Sequence, residues 1–212
     1  GITRHSHCRG RGSIPLRSTK FISLPRGKSG IAMRLAFNTT IADEYKSNAQ
    51  RARVLTEAWV GGSIFCPNCG HIHLEKYQHN KPVGDFYCNN CREDYELKSK
   101  KSEFGSKIVD GAYDTMIERL TSSSNPNFFL LKYDLASLEV TNFFVIPKHF
   151  FVPEIIEKRK PLAPTAERHD WVGCNILLNS IPQTGKIFFV RNRQVEPKEK
   201  VLAEWKKTLF LR

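Results

Sequence analysis

Asp85 is followed, after ten residues, by Glu96-Leu97-Lys98, and Cys88 and Cys91 lie between the two halves. Two carboxylates and a lysine in this order form the skeleton of a metal-dependent phosphodiesterase. The carboxylates and the Leu97 carbonyl offer hard oxygens to Mg2+, and Lys98 can orient a water or stabilise a charged pentacovalent phosphorus. On a strand, Glu96 and Lys98 share one face while Leu97 takes the other. A hairpin turning near Asn90 and Cys91 sets Asp85 opposite Glu96, so the three side chains converge. Alone, the pattern also describes a solvated strand face. The prefix Pro82-Val83-Gly84 and the turn implied by the cysteines favour chemistry.

The cysteines carry a second signal. Cys66-x2-Cys69 and Cys88-x2-Cys91, eighteen residues apart, have zinc-ribbon spacing. Each turn presents two sulfurs on one side, and two turns close a tetrahedral site with no open position. Zn2+ held there stabilises structure rather than performing chemistry. His71, His73 and His79 lie between the pairs and are alternative ligands, which four cysteines leave as loop residues. Cys8 and Cys174 have no sequence partner, a pattern that fits a reducing, cytoplasmic compartment rather than a disulfide framework.

These residues need a fold to hold them. The 212 residues, 40% hydrophobic and 25% charged, describe a soluble globular protein with one substantial core. No apolar run approaches the ~18 residues of a membrane span. The formal charge is +12, but residues 1–32 hold seven basic residues and no acid, which leaves +5 for residues 33–212. A body of that charge suits a polyanion without requiring one. Residues 1–32 lack hydrophobic periodicity and read as a disordered basic extension or an over-extended N-terminus before Met33, with an organelle transit peptide as the third reading.

From Met33 onward the spacing predicts a helix over 42–60, capped by Asn38, Thr39 or Thr40 and stopped by Gly61-Gly62. It predicts strands at 94–100, 128–133, 140–146, 174–178 and 186–191. Helices are expected at 105–121 and 197–209, and an irregular basic loop at 153–171. Helices flanking a mixed central sheet give an α/β (α+β) class.

Several stretches carry a specific resemblance: Glu44-Tyr45-Lys46-Ser47-Asn48, Cys66-Pro67-Asn68-Cys69-Gly70, Asp85-Phe86-Tyr87-Cys88-Asn89 and Glu96-Leu97-Lys98-Ser99-Lys100-Lys101. Asp110-Gly111-Ala112-Tyr113, Asn125-Pro126-Asn127-Phe128-Phe129, Arg159 through Ala166, Gly173-Cys174-Asn175-Ile176 and Leu209-Phe210-Leu211-Arg212 extend it. Through them residues 33–212 resemble the N-terminal catalytic domain of the DpnI family of methyl-directed type IIM restriction endonucleases. These are PD-(D/E)XK nucleases with an inserted four-cysteine zinc site. The resemblance implies a monomeric, Mg2+-dependent enzyme cleaving double-stranded DNA at GATC that carries N6-methyladenine. It implies catalytic roles for Asp85, Glu96 and Lys98, Mg2+ on Asp85, Glu96 and Leu97, and Zn2+ on Cys66, Cys69, Cys88 and Cys91. DNA contacts fall on Trp171, Lys100 and Lys101.

Trp171 matches a tryptophan that helps sense the methyladenines. Burying one methyl is worth only ~0.8 kcal/mol. Sharp discrimination therefore needs two methyls read together, or an unmethylated amine left poorly solvated. By residue type alone, Trp171 is equally an ordinary half-buried aromatic. The family continues after Leu-Phe-Leu-Arg into a winged-helix domain that also reads methylated DNA and is expected to be missing here. A non-catalytic zinc-ribbon DNA-binding module and an inactive fragment are the alternatives.

Overall fold

The structure, a computed structural model, describes residues 33–78, 84–122 and 125–211. The expectations for residues 1–32, with Cys8, and for His79, Pro82 and Val83 lie outside the described residues. Helix α1 (Asn48–Ser63) leads into the cysteine region, which carries β1 (Glu75–Lys76) and β2 (Phe86–Tyr87). Next come β3 (Asp94–Lys100), β4 (Lys107–Ala112), α2 (Tyr113–Thr121), β5 (Asn127–Asp134) and β6 (Glu139–Ile146). The order closes with β7 (Ile156–Lys158), β8 (Gly173–Leu177), β9 (Ile187–Arg191), β10 (Gln194–Val195) and α3 (Lys198–Thr208).

Among the described residues the strands form a seven-stranded sheet, β1-β2-β3-β5-β6-β9-β10, and a three-stranded sheet, β4-β8-β7. β3 and β5 pair in parallel, and the crossover that such a pair requires is supplied by β4 and α2. The unbroken apolar run Phe128-Phe129-Leu130-Leu131 follows from burial on both faces. Phe129 and Leu131 join Trp59, Phe143, Phe189 and Trp205 under α1 and α3. Phe128 and Leu130 join Met116, Phe144, Ile146 and Ile176 under α2 and the small sheet. The large sheet is thus a middle layer between two cores, the α/β arrangement expected.

β3 has the expected bounds, and β5, β6, β8, β9 and α3 fall within a residue or two of theirs. Expectations in three stretches of the chain need correction. α1 starts at Asn48 rather than near Ala42. Thr39–Ala42 form a separate 3-10 turn, and Thr40 Oγ1 bonds Asn38 Oδ1 at 2.8 Å instead of capping the helix. The helix also runs through Gly61 and Gly62, neither of which adopts the positive φ with which glycine ends helices.

The segment 105–121 is a strand followed by a helix. Lys107, Val109 and Gly111 are exposed and Ile108, Asp110 and Ala112 half-buried, the period-two pattern of a strand paired to β8. The expected loop at 153–171 is regular at its start, where Pro153–Ile155 turn and Ile156–Lys158 pair with β8. No helix among the described residues is long and apolar enough to cross a membrane.

Glu57 ties α1 to β1. Its buried carboxylate accepts Arg53 Nε at 2.6 Å and pairs with Lys76. Burial pushes this carboxyl up, but the hydrogen bonds and charges of Lys76 and Arg53 outweigh it and hold the group below the ordinary value of 4.5. A lowered folded value means the stabilisation is present above the ordinary value and is lost as pH falls through the lowered one. Both cations are about half exposed and therefore screened, so the contribution is about 1 kcal/mol. Glu57→Gln is expected to lower the urea midpoint at neutral pH, with the difference from wild type shrinking as pH falls below the ordinary value of 4.5. A difference that stays constant into acid would refute the assignment.

Candidate active site and metal cluster

The two Cys-x-x-Cys turns are built alike. Gly70 N–H donates to the Cys66 carbonyl at 2.8 Å and Arg92 N–H to the Cys88 carbonyl at 2.9 Å. Both residues after the second cysteine are left-handed, Gly70 at φ 76° and Arg92 at φ 63°. The first turn is latched by α3, whose Lys198 Nζ reaches the Gly70 carbonyl at 2.7 Å and whose Trp205 Nε1 reaches Asn68 Oδ1 at 3.0 Å. The second is latched to the large sheet through Glu93, which is buried and accepts Asn127 Nδ2 at 2.9 Å.

Cys66 and Cys91 sulfurs lie 3.5 Å apart, Cys69 and Cys88 sulfurs 3.6 Å, and all four lie within 4.8 Å of one another. A tetrahedral cation with metal–sulfur bonds of about 2.3 Å needs sulfurs about 3.8 Å apart, so the cluster fits a thiolate-bound metal such as Zn2+. Burial pushes the Cys66 and Cys91 thiols up, and a bound cation offsets that cost by holding thiolate. Tyr95 Oη lies 3.1 Å from the Cys66 sulfur, placed to donate to it. His71 and His73 are exposed and outside this sulfur cluster.

The hairpin that follows has the register expected of it. Phe86 pairs with Tyr95 and Tyr87 with Asp94, which brings Asp85 opposite Glu96. Asp85 N–H donates to the Tyr95 carbonyl at 2.9 Å, and Leu97 N–H donates to Asp85 Oδ2 at 2.7 Å. β2 pairs with no residue of β3 beyond Tyr95, so among the described residues Lys98 to Lys100 line an edge with no strand partner on that side.

Glu96 is gripped from two sides, by Lys98 Nζ at 2.5 Å and by Arg119 of α2. Lys98 also donates to Asp110 Oδ1 at 2.8 Å. Burial, helped by the Glu96 charge, pushes the Asp85 carboxyl up against the pull of the Leu97 N–H. Burial works to strip Lys98 of its proton, but Glu96 and Asp110 outweigh it and hold the amine above the usual lysine value. Lys98 is therefore a cation at neutral pH. Both Glu96 oxygens thus face side-chain cations, and one oxygen of the half-buried Asp85 carboxyl accepts the Leu97 N–H.

Trp171 is half-buried, with its ring over Gly173. A Cβ on that glycine would stand 2.6 Å from the ring and 3.3 Å from the Arg159 guanidinium. Arg168 lies 5.8 Å from the ring centroid. Lys100 and Lys101 are exposed beyond Lys98. Asp85, Glu96 and Lys98 are thus brought together, and Trp171 lies on the stretch leading into β8, next to the strand pair that carries Asp110. Asp110 and Arg119 were not singled out by sequence. Asp110-Gly111-Ala112-Tyr113 lies among the resembling stretches, but the helical spacing assigned to 105–121 gave Asp110 no route to Lys98.

A family described as DpnI: Dam-replacing family matches residues 33–212. The chain belongs to the DpnI family. The matched residues contain both cysteine turns, β3 and Trp171.

Metal removal gives a direct check on the cluster. Chelation under denaturing conditions is expected to release one thiolate-bound cation per chain. Refolding with Co2+ should produce tetrahedral thiolate absorption, which Cys88→Ser abolishes. Refolding to the same melting temperature without any metal would contradict a stabilising cluster.

Proposed function

We propose that the chain is a Mg2+-dependent type II endonuclease that cleaves double-stranded DNA at GATC carrying N6-methyladenine. The gathering of Asp85, Glu96 and Lys98 at the open edge of β3 carries this reading. Asp85, Glu96 and the Leu97 carbonyl would hold the Mg2+. When bound, it supplies positive charge to the phosphodiester and acidifies a water. Lys98, kept protonated by its carboxylate neighbours, stabilises the charge that builds on the pentacovalent phosphorus. The Asp85 main chain and carboxylate are both bonded to β3, so the acid enters the reaction with little reorganisation.

The cysteine cluster would hold Zn2+ as a structural ion. Lys100 and Lys101 continue from Lys98 along the strand and past its end, as residues that grip backbone phosphates would. Trp171, flanked by Arg159 and Arg168, offers an apolar wall within cationic surroundings, suited to a methylated base on a polyanion. Residues 33–212 would be the catalytic domain and residues 1–32 a basic extension. A module that only bound phosphates would have no use for two carboxylates beside its lysine.

Duplexes with one GATC, methylated or unmethylated, incubated with and without Mg2+, test this reading. Cleavage is expected only with methylation and Mg2+ together, and Lys98→Ala should slow it by about a hundredfold or more. Intact methylated DNA after incubation with folded, metal-loaded protein would sink the proposal. The methyl arm has its own test in Ca2+, where binding is read without cleavage. Gly173→Ala, which displaces the Trp171 ring, is expected to weaken binding of methylated duplex toward that of unmethylated. An unaltered preference would remove Trp171 from methyl sensing.

A further inference from the structure

The small sheet reaches into the acidic edge through one residue. β4 pairs with β8 in regular register from Lys107 opposite Leu177 to Asp110 opposite Cys174, and then Ala112 falls opposite Gly173. Gly111 is the extra residue of a β-bulge, a device that re-aims the side chain beside it. Its N–H donates to Asp110 Oδ1 at 2.7 Å, so the bulge itself orients the carboxylate. That same oxygen accepts Lys98 Nζ at 2.8 Å. The Asp110 side chain is 10% exposed, and its second oxygen is buried with no hydrogen-bond partner among the described residues.

We infer that Asp110 is a positioning residue for Lys98, aimed at the lysine by the bulge at Gly111 and fixing its amine from the opposite layer. This rests on reading Lys98 as part of a cleavage site for its consequence in catalysis, though not for the contact itself. Lys98 has a flexible four-carbon stem, and its other acceptor, Glu96, lies two residues away on its own strand. Were Glu96 to share its charge with a cation, Asp110 would be the acceptor left to hold the amine. A carboxylate serving only to join two sheets would be expected to satisfy both oxygens, because a buried unpaired acceptor costs stability. Cys174, across the strands from Asp110, has its thiol pushed up to about 11, chiefly by burial and then by the Asp110 charge. It stays neutral and does not compete for Lys98.

The test has a reading that does not depend on cleavage. In protein with isotope-labelled lysine Cε, the Lys98 signal is identified by its loss in Lys98→Ala. With Mg2+ present, it is expected to be immobilised and distinct in wild type and in Asp110→Glu, and averaged toward the bulk lysine position in Asp110→Asn. On methylated duplex with Mg2+, Asp110→Asn is expected to lose about tenfold to a hundredfold in kcat while KM moves less than about twofold. Asp110→Glu should recover most of that loss, which a merely structural role would not allow. An unchanged Lys98 signal in Asp110→Asn overturns the inference, as does wild-type kcat in that variant. If wild-type protein itself cleaves nothing, the nuclease reading falls, and the lysine signal alone judges the contact.

Discussion

A slip of one residue in the pairing of Phe86 with Tyr95 would turn Asp85 to the opposite face of the hairpin from Glu96. What prevents the slip is the second cysteine turn. Cys88 N–H donates to the Glu93 carbonyl and Arg92 N–H to the Cys88 carbonyl, both at 2.9 Å, so the chain reverses at a fixed length. Tyr95 then serves both sides of the hairpin. Its hydroxyl meets the Cys66 sulfur and its ring stacks on Phe129, 4.6 Å between centroids and 9° between planes. The metal cluster, the hairpin register and the core under α1 therefore stand or fall together.

The charged groups in the network around Glu96 come from three separate elements. Lys98 belongs to the central sheet, Arg119 to the helix of the crossover, and Asp110, which shares Lys98, to the small sheet. This explains why the crossover between β3 and β5 is elaborate. It must fill the second core with Met116, helped by Ile108 and Ile117, and also return charged groups to the edge it left. The same bulge that aims Asp110 lies opposite Gly173, whose missing side chain gives Trp171 its seat. The lysine support and the Trp171 seat are thus built on adjacent residues of one strand pair.

Local information was enough to read the parts governed by local physics. The bounds of β3, the buried run at Phe128–Leu131 and the register through Asn90–Cys91 all follow from alternation, apolar continuity and turn length. What was illegible depended on partners distant in sequence. Lys107–Ala112 looks helical until β8 supplies the pairing that makes it a strand. Asp110 and Arg119 look like surface charges until the crossover folds the first onto Lys98 and the second onto Glu96. Gly61 and Gly62 look like a helix stop, yet the helix continues to Ser63, and the N–H of buried Ile64 still reaches the Val60 carbonyl at 3.0 Å.

The central claim is that the cysteine cluster, through the hairpin register, builds the site where Asp85 and Glu96 would hold a divalent cation. Mn2+ binding followed by electron paramagnetic resonance tests it most directly. Wild-type protein with its cluster loaded should bind Mn2+ at a site that Asp85→Asn removes. Cys88→Ser, with its secondary structure retained by circular dichroism, should bind about tenfold or more weakly. Equal Mn2+ affinity in Cys88→Ser and wild type would contradict the account.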